Sequence, residues 1–390
     1  MGFWQSWRGW REYRGLAPEW KRIVFYSESG QDWHFFEPLI TALTRDLDRS
    51  VTYVSSDAAD PGLAQRHKRL RAICIPEGLF LTIHFQVQRA GVVVLTMMDL
   101  GNLNLKRSIH PVHYVYLFHS MGSTHMVDHA DSYDGYDSFL CVGPHHVAEL
   151  RRREELQSMP ARNLFQFGYP RLETLMAQAQ QHAERPSDSV PTVLVAPTWG
   201  PDSIFNACGS QLLEALLTSG LRVIMRPHYQ TRKRTPAVIE QLLAEFGAHP
   251  RFELIEQMGE TGSLFRSDLL ISDWSAMAIE YALGLEKPVL FIDLPRRVRN
   301  PDWQALGLEP LEAAIREEVG VVISRDRLSA VPEAVRGLLQ DRAAFRARMT
   351  GLRQRLVFNL GRSVPLGARE LARLADQQQD ALEAMLHGGG

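Results

Sequence analysis

The stretch LLISDWSAMAIEYALGLEKPVLFID (269–293) reads as strand, turn, helix and strand, with Ser272, Asp273 and Ser275 on the turn. A helix start leaves about four backbone N–H groups without intrahelical partners and carries partial positive charge. Any of the three side chains can cap those groups, and capping is the commoner use of Ser and Asp there. The same N–H groups can hold an anion, phosphate above all, with a Ser hydroxyl assisting. Glu280 is the charged exception in a small, apolar helix body. Buried, it needs a partner such as a ribose hydroxyl; exposed, it needs none.

Three more groups of polar residues follow apolar runs. His119 and Ser120 follow VHYVYLF, Thr198 and Trp199 follow VLVA, and Arg226 and His228 follow RVIM. An Arg suits oxyanions through its bidentate fork. A His can donate to phosphate or exchange a proton near neutral pH. Arg226 and His228 alternate along a strand end and can point the same way, or they are a surface Arg and a satisfied His. His119 stands where an apolar strand gives way to a Gly/Ser loop, which favours a general base. A core histidine is the ordinary alternative.

The elements that carry these residues alternate between strand and helix. Strand runs are RIVFYSESG (22–30), SVTYVSS (50–56), GVVVLTMMD (91–99), VHYVYLFHS (112–120) and SFLCVG (138–143), with a helical pattern in FFEPLITALTRDL. The polar stretch AQAQQHAERPSDSVP (177–191) reads as a linker. The pattern then restarts with TVLVAPTWG (192–200), RVIMRPH (222–228), FELIE (252–256), LLIS (269–272), PVLFID (288–293) and GVVIS (320–324), with helices over 209–219 and 236–246. Residues 327–385 read as helical. This alternation predicts parallel sheets in α/β layers. Two such domains facing a cleft are expected, with ligands beyond the strand C-terminal ends. The expected divisions are a Trp/Arg-rich segment 1–20, an N-terminal domain 21–180, a C-terminal domain 190–350 and a helical tail 351–390.

The 390 residues have a net charge of −2, which gives no global pull toward nucleic acid. The cysteines Cys74, Cys141 and Cys208 are widely spaced and suggest no disulfide framework, so a cytoplasmic chain is expected. No apolar run reaches the roughly 20 residues of a bilayer span, and the N-terminus lacks the pattern of a signal peptide. That N-terminus is MGFWQSWRGWREYRGLAPEWKR, with Trp4, Trp7 and Trp10 repeating every three residues beside Arg8, Arg11 and Arg14. Such a helix either packs its Trp face on its own core or lies along a membrane surface through residues 3–14. His125 and His129, with Asp128 between them, would share a helix face able to bind a cation, although a solvated loop is the plainer reading. No metal site is therefore expected.

Together these motifs resemble those of the CDP-glycerol glycerophosphotransferase family, the teichoic acid polymerases and primases. FHSMG (118–122) looks like the family's Trp-His-Gly motif, and GYPRLETL (168–175) is similar to its Gly-x-Pro-Arg-x-Asp segment. VLVAPTWG resembles its Ala-Pro-Thr-Trp strand, and RPH stands where the family has Arg-x-His-Pro. ISDWSAMAIEYALGLEKPVLFI matches its Thr-Asp-Tyr-Ser-Ser helix and Lys-Pro strand, and NLGRSVPLGARELARL (359–374) resembles its closing stretch. The chain departs from the family after His119, where HSMGSTHM has neither Pro nor Lys, and at Gly200 and Tyr229.

The resemblance implies a GT-B fold, two Rossmann-like domains facing a central cleft, with acceptor on the first and nucleotide on the second. It implies transfer of glycerol phosphate or a related polyol phosphate from a CDP-alcohol such as CDP-glycerol. The acceptor would be a hydroxyl of a lipid-linked or glycan molecule, and CMP would leave. His119 would be the base. His228 and Arg226 would stabilise the diphosphate, with Thr198, Ser272 and Ser275 binding substrate, Asp273 as cap and Glu280 toward the ribose. No cofactor is implied, apart from a divalent cation that a diphosphate can bring. Nor is nucleic acid. The place of work would be the inner face of the cell membrane. A GT-B glycosyltransferase or UDP-sugar 2-epimerase-like enzyme is the alternative, because those folds also set Ser and acidic residues on a helix at the nucleotide.

Overall fold

The computed structural model describes residues 2–101, 105–182, 189–257 and 261–387, with side chains described within 3–380. The chain divides into two compact units. The first comprises Met1–Ser120, Asp128–Arg171 and Leu356–Gly390, the second Met121–Val127 and Leu172–Arg355.

The first unit is built on seven strands: β1 (Ile23–Ser27), β2 (Val51–Ser55), β3 (Leu70–Cys74), β4 (Val92–Leu95), β5 (His113–Leu117), β6 (Ser138–Cys141) and β7 (Asn163–Gln166). They pair in the order β3-β2-β1-β4-β5-β6-β7, all in parallel. Alternation sends Ile23, Phe25, Val51, Tyr53, Val92, Val94, Val115 and Leu117 to one face. There they meet α2 (Trp33–Thr41), through Phe36, Leu39 and Ile40, and α7 (Ser363–His387), through Ala368, Leu371 and Ala375. Each fully buried Leu or Ile contributes about 1.5–3 kcal/mol. The opposite face receives α3 (Leu79–Val87), whose Phe85 meets Tyr26 edge to face at 4.7 Å.

The second unit has six parallel strands: β8 (Thr192–Val195), β9 (Arg222–Met225), β10 (Phe252–Leu254), β11 (Leu269–Ser272), β12 (Val289–Asp293) and β13 (Gly320–Ser324). Their order is β10-β9-β8-β11-β12-β13. Val193, Val195, Val223, Met225, Leu269, Ile271 and Leu290 pack against α5 (Gly209–Thr218) through Leu212, Leu213, Leu216 and Leu217. In each unit the parallel pairing places all strand C-terminal ends along one edge.

Three readings need correction. β3 and β7 have no counterpart among the strands read from the sequence. Both are edge strands with only partial burial, so their side chains do not alternate cleanly. The expected linker begins as helix, because α4 (Pro170–Gln181) runs through its first residues; Ala and Gln are good helix formers. The rest of that linker, at 183–188, lies outside the described residues. No helix forms over 121–137, so His125 and His129 share no helix face. Instead His125 Nε2 lies 3.1 Å from the Leu308 carbonyl.

The N-terminal segment is a helix, α1 (Gly2–Gly15), docked on the first unit. Its buried face is Ser6, Gly9 and Tyr13. Ser6 Oγ donates to the Pro76 carbonyl at 3.0 Å, and Tyr13 meets His84 edge to face at 4.4 Å. Gly9 allows the close approach: a Cβ there would lie 2.0 Å from the Cys74 carbonyl oxygen. The Trp stripe thus runs beside the docked face. Trp7 and Trp10 are half-buried, while Phe3 and Trp4 are 58% and 70% exposed.

Candidate active site

Most candidate residues lie on the second unit, at the C-terminal ends of β8, β9 and β11. Asp273 is the structural centre of this group. It is buried, and its carboxylate accepts three backbone N–H groups: Thr198 at 2.7 Å and Trp274 at 2.8 Å on Oδ1, and Ile204 at 3.1 Å on Oδ2. Burial raises its pKa, and the three N–H bonds oppose that rise. Ser272 Oγ donates to the Ala196 carbonyl at 2.9 Å. Both side chains tie the end of β11 to the loop after β8.

That corrects the expectation that they cap the following helix. α6 (Met277–Leu285) starts from Ala276, with no side-chain cap hydrogen bond. The Ala278 and Ile279 N–H groups bond back to the Ser275 and Ala276 carbonyls at 3.0 and 3.1 Å, while no side chain caps those of Ala276 and Met277, with half-buried Ser275 just before them. Glu280 is buried on α6. Lys287, of the Lys-Pro motif, is structural: its Nζ donates to the carbonyls of Phe265 and Ser267 at 2.8 and 2.6 Å.

Cations gather at the start of α6. Arg226 Nη1 lies 3.4 Å from Sδ of Met277, the first residue of the helix. Arg297 donates to Thr198 Oγ1 at 3.0 Å and lays its guanidinium over the Trp199 ring, 4.3 Å from the centroid. Arg234 approaches the same ring at 4.9 Å, and the His228 ring lies 6.3 Å from it. The sequence reading missed Arg297 and Arg234. Arg297 could have been found, because LPRRVRN follows β12 as the other site groups follow their strands.

His228 sits in a recess crowded by protein though open to solvent. Burial, then the charges of Arg297 and Arg226, lower its pKa to about 4. The Gln230 N–H donates to its Nδ1 at 3.0 Å. The neutral ring therefore carries its proton on Nε2, as a hydrogen-bond donor within a cationic cluster. Thr198, Arg226, His228, Ser275 and the α6 start are thus brought together. Ser272 and Asp273 sit beside them as ties.

His119 belongs to the first unit, at the end of β5. Its Nδ1 lies 3.3 Å from the Tyr116 hydroxyl, its carbonyl accepts from Tyr169 Oη at 3.1 Å, and Phe35 flanks the ring at 5.9 Å. On the same unit Glu28, in the loop after β1, is pushed up to about 7 by burial and by Asp32, Glu77 and Asp99. Among the described residues, no three His, Cys, Asp or Glu side chains are grouped to hold a metal ion. No helix among them is long and apolar enough to cross a membrane.

The two parallel sheets with their helices make this an α/β protein of the GT-B class. The wall teichoic acid polymerase TagF superposes with TM-score 0.58 at 13% identity, covering 96% of this chain and 94% of that one. A putative UDP-N-acetylglucosamine 2-epimerase from Listeria monocytogenes gives 0.58 at 13% identity, covering 95% and 98%. The Methanocaldococcus jannaschii UDP-GlcNAc 2-epimerase in complex with UDP-GlcNAc and UDP gives 0.52 at 12%, covering 90% and 99%. At these identities the superpositions show the fold alone. No curated protein matches the chain in sequence. A family model does: CDP-glycerol:poly(glycerophosphate) glycerophosphotransferase matches residues 114–294, just under half of the chain. Over that segment the chain is similar to the CDP-glycerol:poly(glycerophosphate) glycerophosphotransferase family. The segment runs from β5 to the end of β12 and holds every site residue read from the sequence.

Removing a nearby positive charge favours the imidazolium, and so does adding an anion. The His228 midpoint, about 4 in the free protein, should therefore rise in Arg297→Ala and rise again when CDP is added to the wild type. Histidine NMR titrations check both. A midpoint unmoved by CDP would place the diphosphate elsewhere.

Proposed function

We propose that the chain transfers glycerol phosphate, or a related polyol phosphate, from a CDP-alcohol to a hydroxyl of a lipid-linked or glycan acceptor, in the synthesis of a cell-envelope polymer. The observation that carries this reading is the uncapped start of α6, with Arg226 beside it, in the segment that matches the family. Such a helix start with a guanidinium beside it is a site for phosphate oxygens.

In this reading the diphosphate lies at the α6 N–H groups and Ser275, and Arg226, Arg297 and His228 Nε2–H donate to its oxygens. Thr198 binds nearby, Glu280 serves the ribose side, and Ser272 and Asp273 hold the loop in place. His119 takes the proton of the acceptor hydroxyl as its oxygen attacks the β-phosphorus. The bond to the bridging oxygen breaks, and CMP leaves with that oxygen. Phosphoryl transfer needs mainly positioning and charge stabilisation, and neutral His228 supplies a donor without giving up a proton. The first unit would carry the acceptor and the second the nucleotide. The domain divisions read from the sequence are proposed in that functional sense.

The chain is also proposed to work on the inner face of the membrane. Phe3 and Trp4 are exposed on α1, with exposed Arg8, Arg11 and Arg14 on the same helix, a combination that suits an anionic interface. Exposed Leu79 extends the apolar surface from α3, and Phe3 packs on Phe80 at 5.1 Å.

With CDP-glycerol and a membrane extract, the wild type should release CMP. Arg226→Ala and His228→Ala should each slow this about 10²–10³-fold, as expected for one lost charge-stabilising donor. His119→Ala should cost about 10²–10⁴-fold, the usual contribution of a general base. Release of UDP from UDP-sugars, with CDP-glycerol inert, would favour the nucleotide-sugar alternative. In vesicle sedimentation, the wild type should bind phosphatidylglycerol vesicles more than phosphatidylcholine ones. Phe3→Ala with Trp4→Ala should abolish that preference, and retained binding would contradict the membrane proposal.

A further inference from the structure

We propose that Asn300 is a positioning residue for the donor site: by anchoring its loop on the segment 121–127, it holds Arg297 over Trp199 and toward the diphosphate. The inference deepens the reading of Arg297 as a donor to the diphosphate and rests on that reading. All the residues concerned lie on the second unit. The loop is LPRRVRN (294–300), which follows β12 with neither helix nor strand. All of it after Leu294 lies beyond the segment that matches the family. Its two ends, Leu294 and Asn300, are buried. Residues 295, 296, 298 and 299 are exposed, and Arg297 is half-buried between them.

Each end of the loop has its own tie. The Leu294 carbonyl accepts from Trp274 Nε1 at 2.8 Å. Asn300 makes the other tie through side chain and backbone together. Its Nδ2 donates to the His125 carbonyl at 2.8 Å, and its Oδ1 accepts from the Asp302 N–H at 3.0 Å. The N–H groups of Arg299 and Asn300 converge on the Met126 carbonyl at 3.1 and 3.3 Å. The seat beneath them is itself fixed. The Ser123 N–H donates to Glu312 at 3.0 Å, and Ser123 Oγ accepts from the Leu311 N–H at 2.7 Å. Ser123, His125, Met126 and Glu312 are all buried. Bonds of this kind are costly to break, because the partner left behind stays dry and unsatisfied.

The contacts along the exposed middle of the loop are weaker holds. Arg296 pairs with Glu309 at 2.7 Å, but both side chains are exposed, and such pairs contribute little. The Leu294 tie uses a backbone carbonyl, so Asn300 is the anchor that a substitution can remove directly. Arg297 stands three residues from either anchor. With the Asn300 end released, its contacts with Thr198 Oγ1 at 3.0 Å and the Trp199 ring at 4.3 Å have no fixed backbone behind them. A guanidinium already held in place loses less side-chain freedom when an anion arrives, which is what preorganisation contributes.

The test is NMR of arginine side chains in the full chain without nucleotide, with Arg297→Lys for assignment. In the wild type the Trp199 ring current should shift the Arg297 side-chain protons upfield. Asn300→Ala should lose most of that shift. Asn300→Asp, which keeps the size and the Oδ1 acceptor but not the amide donor, should lose part of it. The His228 midpoint, about 4, should rise in Asn300→Ala as it does in Arg297→Ala, with no further rise when the two are combined. Loosened packing alone would add to the Arg297→Ala value. A wild type without the ring-current shift overturns the proposal before any variant is made. So does an unchanged shift in a folded Asn300→Ala or Asn300→Asp, or a further rise in the double variant. With CDP added, Asn300→Ala should weaken binding by the same factor as Arg297→Ala, roughly 10–100-fold for one lost charged donor. A chain with the expected shifts but no affinity for CDP would refute the CDP-alcohol reading and leave Asn300 as the anchor of Arg297.

Discussion

The second unit depends on a carboxylate that never needs to touch a ligand. Asp273 is buried at the end of β11 and gathers the N–H groups of Thr198, Ile204 and Trp274. A buried charge is costly unless such bonds satisfy it, and here they come from two separate strand ends. The carboxylate therefore fixes the loop after β8 against the turn before α6. Without it, three buried N–H groups would lose their acceptor.

From that tie the chemistry of the site follows. Thr198 is held where it can accept from Arg297, and Trp199 where Arg297 can cover it. Ser272 and Asp273 are spent on the tie, which leaves α6 without a side-chain cap. Burial, with the charges of Arg297 and Arg226 added to it, keeps His228 neutral. The outcome is a set of positive charges and neutral donors around a helix start. A site that must hold a diphosphate while one of its bonds breaks needs such a set.

Much of this was legible in the sequence. The strands that carry the site are continuous apolar runs, because a parallel sheet is covered on both faces, and RPH and SDWS end two of them. The same rule did not reach β3 and β7, whose edge positions leave residues such as Arg71 and Gln166 exposed. Ser and Asp before a helix read as caps from local propensity. Tertiary structure turned them toward β8 instead, and one strand cannot announce the needs of its neighbour. Arg297, which the sequence reading missed, stands in the sequence as one of several arginines after β12. Its stacking on Trp199 depends on β12 ending near β8, separated from it in the sheet by β11 alone.

The central claim is that the start of α6 holds the diphosphate of a CDP-alcohol, and a crystal structure of the chain soaked with CDP-glycerol tests it most directly. The account predicts the diphosphate at the N–H groups of Ala276 and Met277, with Arg226, Arg297 and His228 Nε2 within hydrogen-bonding distance of its oxygens. A nucleotide bound away from α6, or one whose phosphates touch none of those three side chains, would contradict it.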